Sequence, residues 1–247
     1  MYIPLLVDDF KKFKDSLPDD DWAGLSVTIP HKTAALKEAD EADDVAQRIG
    51  AANTLVRMEN GDFKAYNTDW LAAISSIEKA MVSNSMAQSE ETALTNKTVV
   101  IIGAGGAGRA LAFGAASRGA HVIVANRTVE KAIDLANQLE PLGQGVSLGD
   151  LQDGNVVGDV LVNTSSVGML PREDESPVPA QVASSFGVVF DAVYTPLRTK
   201  LLTDAEKGGA VIVTGEKMFV GQAAAQFFLF TGSKPDEALM TDIVLGR

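Results

Sequence analysis

The sequence predicts an α/β protein of two domains, and three observations carry that prediction. Short apolar runs rich in β-branched residues alternate with segments of helical length, the pattern of a parallel sheet covered on both faces. A glycine-rich turn joins an apolar run to a helical segment within TVVIIGAGGAGRALAFGAASRGAHVIVANRT, residues 98–128. A polar stretch without periodicity, SNSMAQSEETALTN at 83–96, divides the chain into an N-terminal third and a longer C-terminal part. The length of 247 residues suits two modest domains, and a hydrophobic content of 46% supports a sizeable core.

The elements run in this order. Residues 2–7 read as a strand, and Asp8 or Asp9 can cap a helix over 10–17. A strand at 25–29 closes at Pro30. Helices are expected over 33–39 and 43–49, then strands over 52–58 and 63–66 joined by Asn60-Gly61, a strong hairpin signal. An amphipathic helix fills 70–82. Beyond the polar stretch, a strand at 99–102, a helix at 109–118 and a strand at 121–125 form a βαβ unit. A helix over 129–139 comes next, then strands at 159–163, 188–192 and 210–213, with a helix over 200–207 before the last. A final apolar helix spans 217–231. The expected boundaries are a first domain at 1–82, a linker at 83–96 and a second, doubly wound domain of Rossmann type at 97–216. Residues 217–247 form a C-terminal helical segment expected to pack back on the first domain.

The glycines carry chemistry. Gly103, Gly105 and Gly108 have the G-x-G-x-x-G spacing between strand and helix. The first allows a tight turn, the second lets backbone approach a pyrophosphate, and the third lets helix pack on strand. The helix start then offers free N–H groups to phosphate. The plainer alternative is a glycine-rich turn without a ligand. At the end of the next strand an NAD site usually holds Asp or Glu for the ribose 2′-hydroxyl. Here stand Asn126, Arg127 and Thr128, and the first carboxylate is Glu130. A guanidinium beside a hydroxyl suits a 2′-phosphate, so NADP is the expected dinucleotide. The alternative is a solvated arginine.

Composition narrows the rest. A net charge of −12 argues against nucleic acid and against anionic membranes. No cysteine is present, which excludes disulfides, thiolate nucleophiles and cysteine-bound metal. His31 and His121 are too few for a histidine-based metal centre, so no metal is expected. No apolar run has the length of a membrane span, and MYIPLLVDDF lacks the features of a signal peptide. The expectation is a soluble intracellular protein.

Four further polar clusters allow a functional reading beside a structural one, which for Gln222 is a satisfied core amide or an exposed helix face. In Ser26-Val27-Thr28-Ile29-Pro30-His31-Lys32, a helix starting near Thr33 turns its positive end toward Lys32. That position is poor for a structural lysine and reasonable for one that exchanges protons, although this segment alone favours a solvated loop lysine. Asn67-Thr68-Asp69-Trp70 can cap the helix at 70, which also fixes a carboxylate. Gly50-Ala51-Ala52-Asn53-Thr54 sets a polar side chain at a strand start, and Gln222 interrupts an apolar helix.

SVTIPHK, GAANT, YNTDW, GAGGAG, NRT, FDAVYTP and GEKMFVGQ, in this order, resemble the shikimate dehydrogenase family across essentially the whole chain. FDAVYTP and MFVGQA are most similar to plant members, in which the dehydrogenase is fused to a 3-dehydroquinate dehydratase. The resemblance implies an oxidoreductase of the shikimate pathway, leading to chorismate and the aromatic amino acids. It implies NADP-dependent, reversible reduction of 3-dehydroshikimate to shikimate. By the same resemblance, Lys32 is the proton donor and acceptor, paired with Asp69, while Thr28, Asn53, Asp69, Tyr194 and Gln222 hold the substrate. Gly103, Ala104, Gly105, Gly106 and Ala107 take the pyrophosphate; Asn126, Arg127, Thr128, Val129, Glu130 and Lys131 take the adenosine phosphate. Ala192 and Gly215 lie near the nicotinamide, with Met218 packed nearby. A dehydratase domain fused in a longer parent, and a cytoplasmic or plastid-stroma location, fit the same resemblance.

Two departures stand out. Family members begin with a strand and a serine loop of the form H-S-x-S-P-x-x-H-N, ahead of the segment matching 2–9. The resemblance therefore implies an N-terminally incomplete substrate domain. Glu216-Lys217 replaces the apolar residue and Glu found before the methionine in plant relatives. Rival readings are a quinate dehydrogenase of the same fold and an NADP-binding protein without turnover.

Overall fold

Two sheets organise the chain, one mixed and one wholly parallel. The structure, a computed structural model, describes residues 2–17 and 22–246. It divides into two units, Met1–Thr68 with Ala225–Pro235, and Asp69–Ala224 with Asp236–Arg247.

The first unit carries α1 (Phe10–Asp15), β1 (Gly24–Ser26), α2 (Lys32–Lys37), β2 (Glu41–Ala42), α3 (Asp44–Ile49), β3 (Thr54–Arg57) and β4 (Phe63–Tyr66). Its strand order is β1-β3-β4-β2. β1 and β4 lie antiparallel to β3, and β2 runs parallel to β4. Alternation decides the faces: in β4, Phe63 and Ala65 are buried while Lys64 and Tyr66 are partly open. Phe10, Leu25, Val27, Ala35, Ala52 and Leu55 complete that core. Asp9 caps α1 through the Lys12 N–H (3.1 Å), and Asp43 caps α3 through that of Ala46 (2.6 Å).

One expectation fails here. Residues 2–7 form no strand, and Tyr2, Ile3, Leu5 and Leu6 stand exposed. The run has the composition of a strand, but a strand needs a neighbour to complete its ladder hydrogen bonds. Among the described residues β1 is an edge strand paired with β3 alone, and 2–7 does not pair with its open side.

The second unit begins with α4 (Asp69–Ser83) and a 3₁₀ turn at Glu90–Thr92. Then come β5 (Thr98–Ile102), α5 (Gly106–Ser117), β6 (His121–Asn126), α6 (Val129–Asn137), β7 (Gly143–Ser147), α7 (Leu148–Gln152), β8 (Val160–Asn163) and α8 (Ala180–Ala183). β9 (Val188–Asp191), α9 (Lys200–Lys207), β10 (Val211–Val213), α10 (Glu216–Thr231) and α11 (Glu237–Leu245) complete the chain. α10 is one continuous helix whose residues from Ala225 onward belong to the first unit.

All six strands of this sheet run parallel, in the order β10-β9-β8-β5-β6-β7. Counted from β5, that is the 3-2-1-4-5-6 order of a Rossmann sheet, and strand order reverses between β5 and β8. The central strands are buried on both faces, hence their unbroken apolar runs.

Two segments differ from the sequence reading. Residues 83–96 are packed rather than extended: Ala93 and Leu94 are buried, and Asn84 Nδ2 donates to the Gly187 carbonyl (3.1 Å). β7 escapes detection because its glycines hide it. A Cβ at Gly143 or Gly145 would collide with the α6 backbone at Ala136 or Ile133, so β-branched residues are excluded where the strand meets that helix.

Candidate active site

β5 delivers the chain to the turn at the point of strand reversal. Gly103 takes φ +107°, a conformation that costs glycine little. A Cβ at Gly108 would strike the Gly103 carbonyl, so the third glycine seats α5 against the turn. A Cβ at Gly105 would meet nothing within 4 Å. Gly105 caps α5 in extended conformation and brings no side chain to the first-turn N–H groups. Ala104, Gly106 and Ala107 complete the segment, none of them buried. The Thr164 hydroxyl, just past β8, donates to the Ile102 carbonyl (2.8 Å) and closes the other side of the reversal. Open space, free N–H groups and a helix start together suit a phosphate.

At the end of β6 the Asn126 amide donates to the Thr128 carbonyl (2.9 Å). The chain turns there, leaving Arg127 and Thr128 exposed. Val129, Glu130 and Lys131 begin α6, the last two exposed. This segment thus offers a cation and a hydroxyl ahead of any carboxylate.

A third group forms beyond β9. A Cβ at Gly215 would meet the carbonyls of Ala192 and Val193 at 2.7 Å, so the loop after β9 and the chain entering α10 touch backbone to backbone. Tyr194 stacks on Phe219 with ring centroids 4.5 Å apart. Met218 is buried on the same turn of α10, and Gln222 donates to the Phe219 carbonyl (3.0 Å). Beneath the loop, Asp191 is fully buried. Burial pushes its carboxyl up to about 6, although Thr199, the Val193 N–H and Asn163 each donate to it. Asp69 opens α4 and is buried.

The first unit holds its polar residues by side-chain wiring. A turn brings the His31 N–H to the Thr28 carbonyl (2.9 Å), and Lys32 follows as the first residue of α2. His31 is fixed by the Val7 carbonyl (2.7 Å) and lies against the Phe10 ring. The Lys32 carbonyl accepts from the Ala52 N–H (2.9 Å), which ties the helix start to the start of β3. Asn53 comes next and is buried. Its Oδ1 accepts from the Thr68 N–H and the Thr54 hydroxyl, both at 2.9 Å, and its Nδ2 donates to Thr68 Oγ1 (3.0 Å). Asn67 Nδ2 donates to the Ala51 carbonyl (2.9 Å).

Sequence reasoning singled out Gln222 and passed over Gln226. The Gln226 amide is buried, donates to the Asn53 carbonyl (3.1 Å) and Thr54 Oγ1 (3.0 Å), and accepts from the Ser26 hydroxyl (3.0 Å). The available signal was a second glutamine four residues on, along the same apolar helix. Within the first unit, backbone hydrogen bonds link the turn from Thr28 to Lys32 to Ala52, the residue before Asn53. Within the second, the structure groups Ala192, Tyr194, Gly215, Met218 and Gln222 around the loop after β9. Among the described residues, no three of His, Asp and Glu gather as metal ligands, and no helix is long and apolar enough to cross a membrane.

Three family models match this chain. Residues 1–55 match the shikimate dehydrogenase substrate-binding domain, 85–175 match shikimate/quinate 5-dehydrogenase, and 215–245 match the shikimate 5′-dehydrogenase C-terminal domain. The chain is 45% identical to the chloroplastic bifunctional 3-dehydroquinate dehydratase/shikimate dehydrogenase of Arabidopsis thaliana, over 99% of this chain and 41% of that protein. It is 39% identical to the NADP(+) shikimate dehydrogenase of Methanosarcina acetivorans, over 91% of this chain and 79% of that one. A crystal structure of a shikimate dehydrogenase in complex with NADP+ superposes with TM-score 0.85 at 34% identity, covering 98% of this chain and 82% of that one. The chain belongs to the shikimate dehydrogenase family.

Proposed function

We propose that the chain is an NADP-dependent shikimate dehydrogenase, interconverting 3-dehydroshikimate and shikimate. The observation that carries this reading is the acid-free end of β6. Arg127 and Thr128 stand exposed there, beside a glycine turn with room at Gly105, in a chain of this family. Those residues fit NADP. Ala104 to Ala107 would hold the pyrophosphate through backbone N–H groups, and Arg127, with Asn126, Thr128 and Lys131, would hold the 2′-phosphate. Ala192, Gly215 and Met218 would border the nicotinamide. When bound, the cofactor supplies or accepts a hydride.

The protein's own part is proton transfer and orientation. In the reducing direction the Lys32 ammonium donates a hydrogen bond to the substrate ketone oxygen. It stabilises the growing negative charge and then gives up the proton, leaving a hydroxyl. The Asp69 carboxylate accepts from a neighbouring substrate hydroxyl and fixes the ring. Thr28, Asn53, Tyr194 and Gln222 hold the remaining hydroxyls and the carboxylate. The wiring of Asn53 to Thr68, Thr54 and Gln226 supports this assignment, because it holds the strand that anchors the Lys32 backbone. A dehydratase domain supplying 3-dehydroshikimate would accompany the chain in a longer parent, as in the plant relative. Plastid stroma is the matching compartment for a plant chain, and the cytoplasm otherwise.

Initial rates with shikimate and with quinate, each with NADP+ and NAD+, test the proposal. Shikimate with NADP+ should be fastest. Faster oxidation of quinate, or equal rates with NAD+, would refute the assignment of substrate or cofactor.

A further inference from the structure

β8 and β9 end side by side in the parallel sheet, and the segments that leave them carry polar groups toward one buried acid. Asp191 is the last residue of β9 and has no exposed surface. Its Oδ1 accepts from Asn163 Nδ2 (2.9 Å) and from the Val193 N–H (3.0 Å). Its Oδ2 accepts from the Thr199 hydroxyl (2.7 Å). Thr199 is the cap of α9 and accepts in turn from the Leu202 N–H (3.3 Å). Asn163 uses its own Oδ1 to take the Ser165 N–H (3.0 Å) and hydroxyl (2.7 Å), and its carbonyl takes the Ala192 N–H (2.9 Å). One carboxylate therefore joins the end of β8, the loop after β9 and the head of α9.

The neighbours of Asp191 along the strand are the apolar residues Val188, Val189 and Phe190, all fully buried. An apolar side chain would suit such a place, and a buried carboxylate carries a desolvation cost. What only a carboxylate offers is two arms that both accept. The asparagine side chain has one accepting arm; with that arm on Asn163 and Val193, its Nδ2 would face Thr199, whose hydroxyl would have to reverse and give up its own donation. The segment held in this way, 192–199, is the one that sets Ala192 and Val193 against Gly215 and stacks Tyr194 on Phe219.

We propose that Asp191 is a positioning residue, a clamp that fixes the loop at 192–199 and thereby the placing of Ala192 and Tyr194 at the reaction centre. The clamp touches neither substrate nor cofactor and acts through the loop. It rests on the reading of the chain as a shikimate dehydrogenase.

Asp191→Asn tests it by three readouts. Bound NADPH is titrated by its fluorescence. Steady-state rates give kcat and KM for shikimate. Amide hydrogen exchange, followed by mass spectrometry, reports on 192–199 and, as a control, on 98–126. The expected result is an NADPH Kd within about twofold of wild type, kcat lowered at least roughly tenfold toward the 10²-fold that a shift of about 1 Å can cost, and a raised KM. Exchange should quicken in 192–199 and stay unchanged in 98–126. Thr199→Val, which removes one donor, should move the same quantities in the same direction, and Thr199→Ser should restore them. If Asp191→Asn does not fold, the threonine pair decides. Wild-type kcat and KM in these variants, equal loss of NADPH binding and turnover, or unchanged exchange in 192–199 would each overturn the clamp. Should the wild-type chain fail to oxidise shikimate, the functional reading falls, while the exchange data still decide whether Asp191 holds the loop.

Discussion

The glycine turn after β5 and the network around Asn53 are built by opposite means. At the turn, the working parts are backbone and empty space. Gly103 adopts φ +107°, Gly108 lets helix meet turn, and Gly105 keeps a volume clear. Around Asn53, the working parts are side chains, and Gln226 reaches it from 173 residues along the chain. On the proposed function, a few adjacent residues suffice to build the phosphate cradle, while the polyol pocket collects partners from remote segments. The difference predicts different responses to mutation, since a backbone site fails by crowding and a side-chain site by lost partners.

The largest effect is expected at Lys32, the proposed proton-transfer residue. Lys32→Met should lower kcat by roughly 10²–10⁴-fold, the range for a general acid–base residue, with NADPH affinity near wild type. Steady-state rates and a fluorescence titration measure both, and near-normal turnover would remove Lys32 from the mechanism.

Two glycine variants sharpen the contrast at the turn. Gly108→Ala forces a methyl group against the Gly103 carbonyl and should cost about 1–3 kcal/mol in chemical denaturation, together with NADPH affinity. Gly105→Ala meets no protein atom, so stability should change by less than about 1 kcal/mol, the scale of an N-cap exchange. Its NADPH affinity should still fall at least roughly tenfold, or about 1.4 kcal/mol, because the methyl group takes space proposed for the pyrophosphate. Unchanged binding by Gly105→Ala would show that the space serves no phosphate.

On the side-chain half, Gln226→Met keeps the volume and deletes the amide. It leaves the Ser26 hydroxyl without its acceptor and removes donors from Asn53 and Thr54. A loss of about 1–3 kcal/mol in denaturation is expected, with a raised KM for shikimate and an unchanged NADPH Kd.

A pH effect concerns Asp191, whose carboxyl is raised from 3.8 to about 6 by burial. The folded state holds this proton more tightly than the unfolded chain does. Protonation therefore favours folding, and stability falls as pH rises from about 4 to about 6. Measured against Asp191→Asn, which has no such proton, wild type should lose on the order of 2–3 kcal/mol across that window and level off above about pH 7. A difference between the two proteins that stays constant with pH would contradict the raised value.

The sequence made the parallel sheet and its glycine turn readable because both rest on local rules. Val99 to Ile102, Gly103, Gly105 and Gly108 lie within ten residues, and their spacing encodes their geometry. The segment at 2–7 misled because strand composition says nothing about whether the segment pairs with an edge that is open to it. β7 hid because close packing on α6 demands glycine where propensity expects branched residues. Gln226 and Asp191 hid for a further reason. Their importance comes from partners on other elements, and a glutamine in an apolar helix or an aspartate at the end of a strand carries no local mark of that.

The most direct test joins the two halves in one preparation of the 247-residue chain. NADPH and NADH are titrated by fluorescence, and the same protein is then given shikimate and NADP+ while NADPH formation is followed by absorbance. The account predicts binding of NADPH in preference to NADH, by about 1.5–3 kcal/mol that Arg127→Ala removes, and formation of NADPH on addition of shikimate. Tight NADPH binding with no NADPH formed from shikimate would contradict it, and would leave a dinucleotide-binding protein without this reaction.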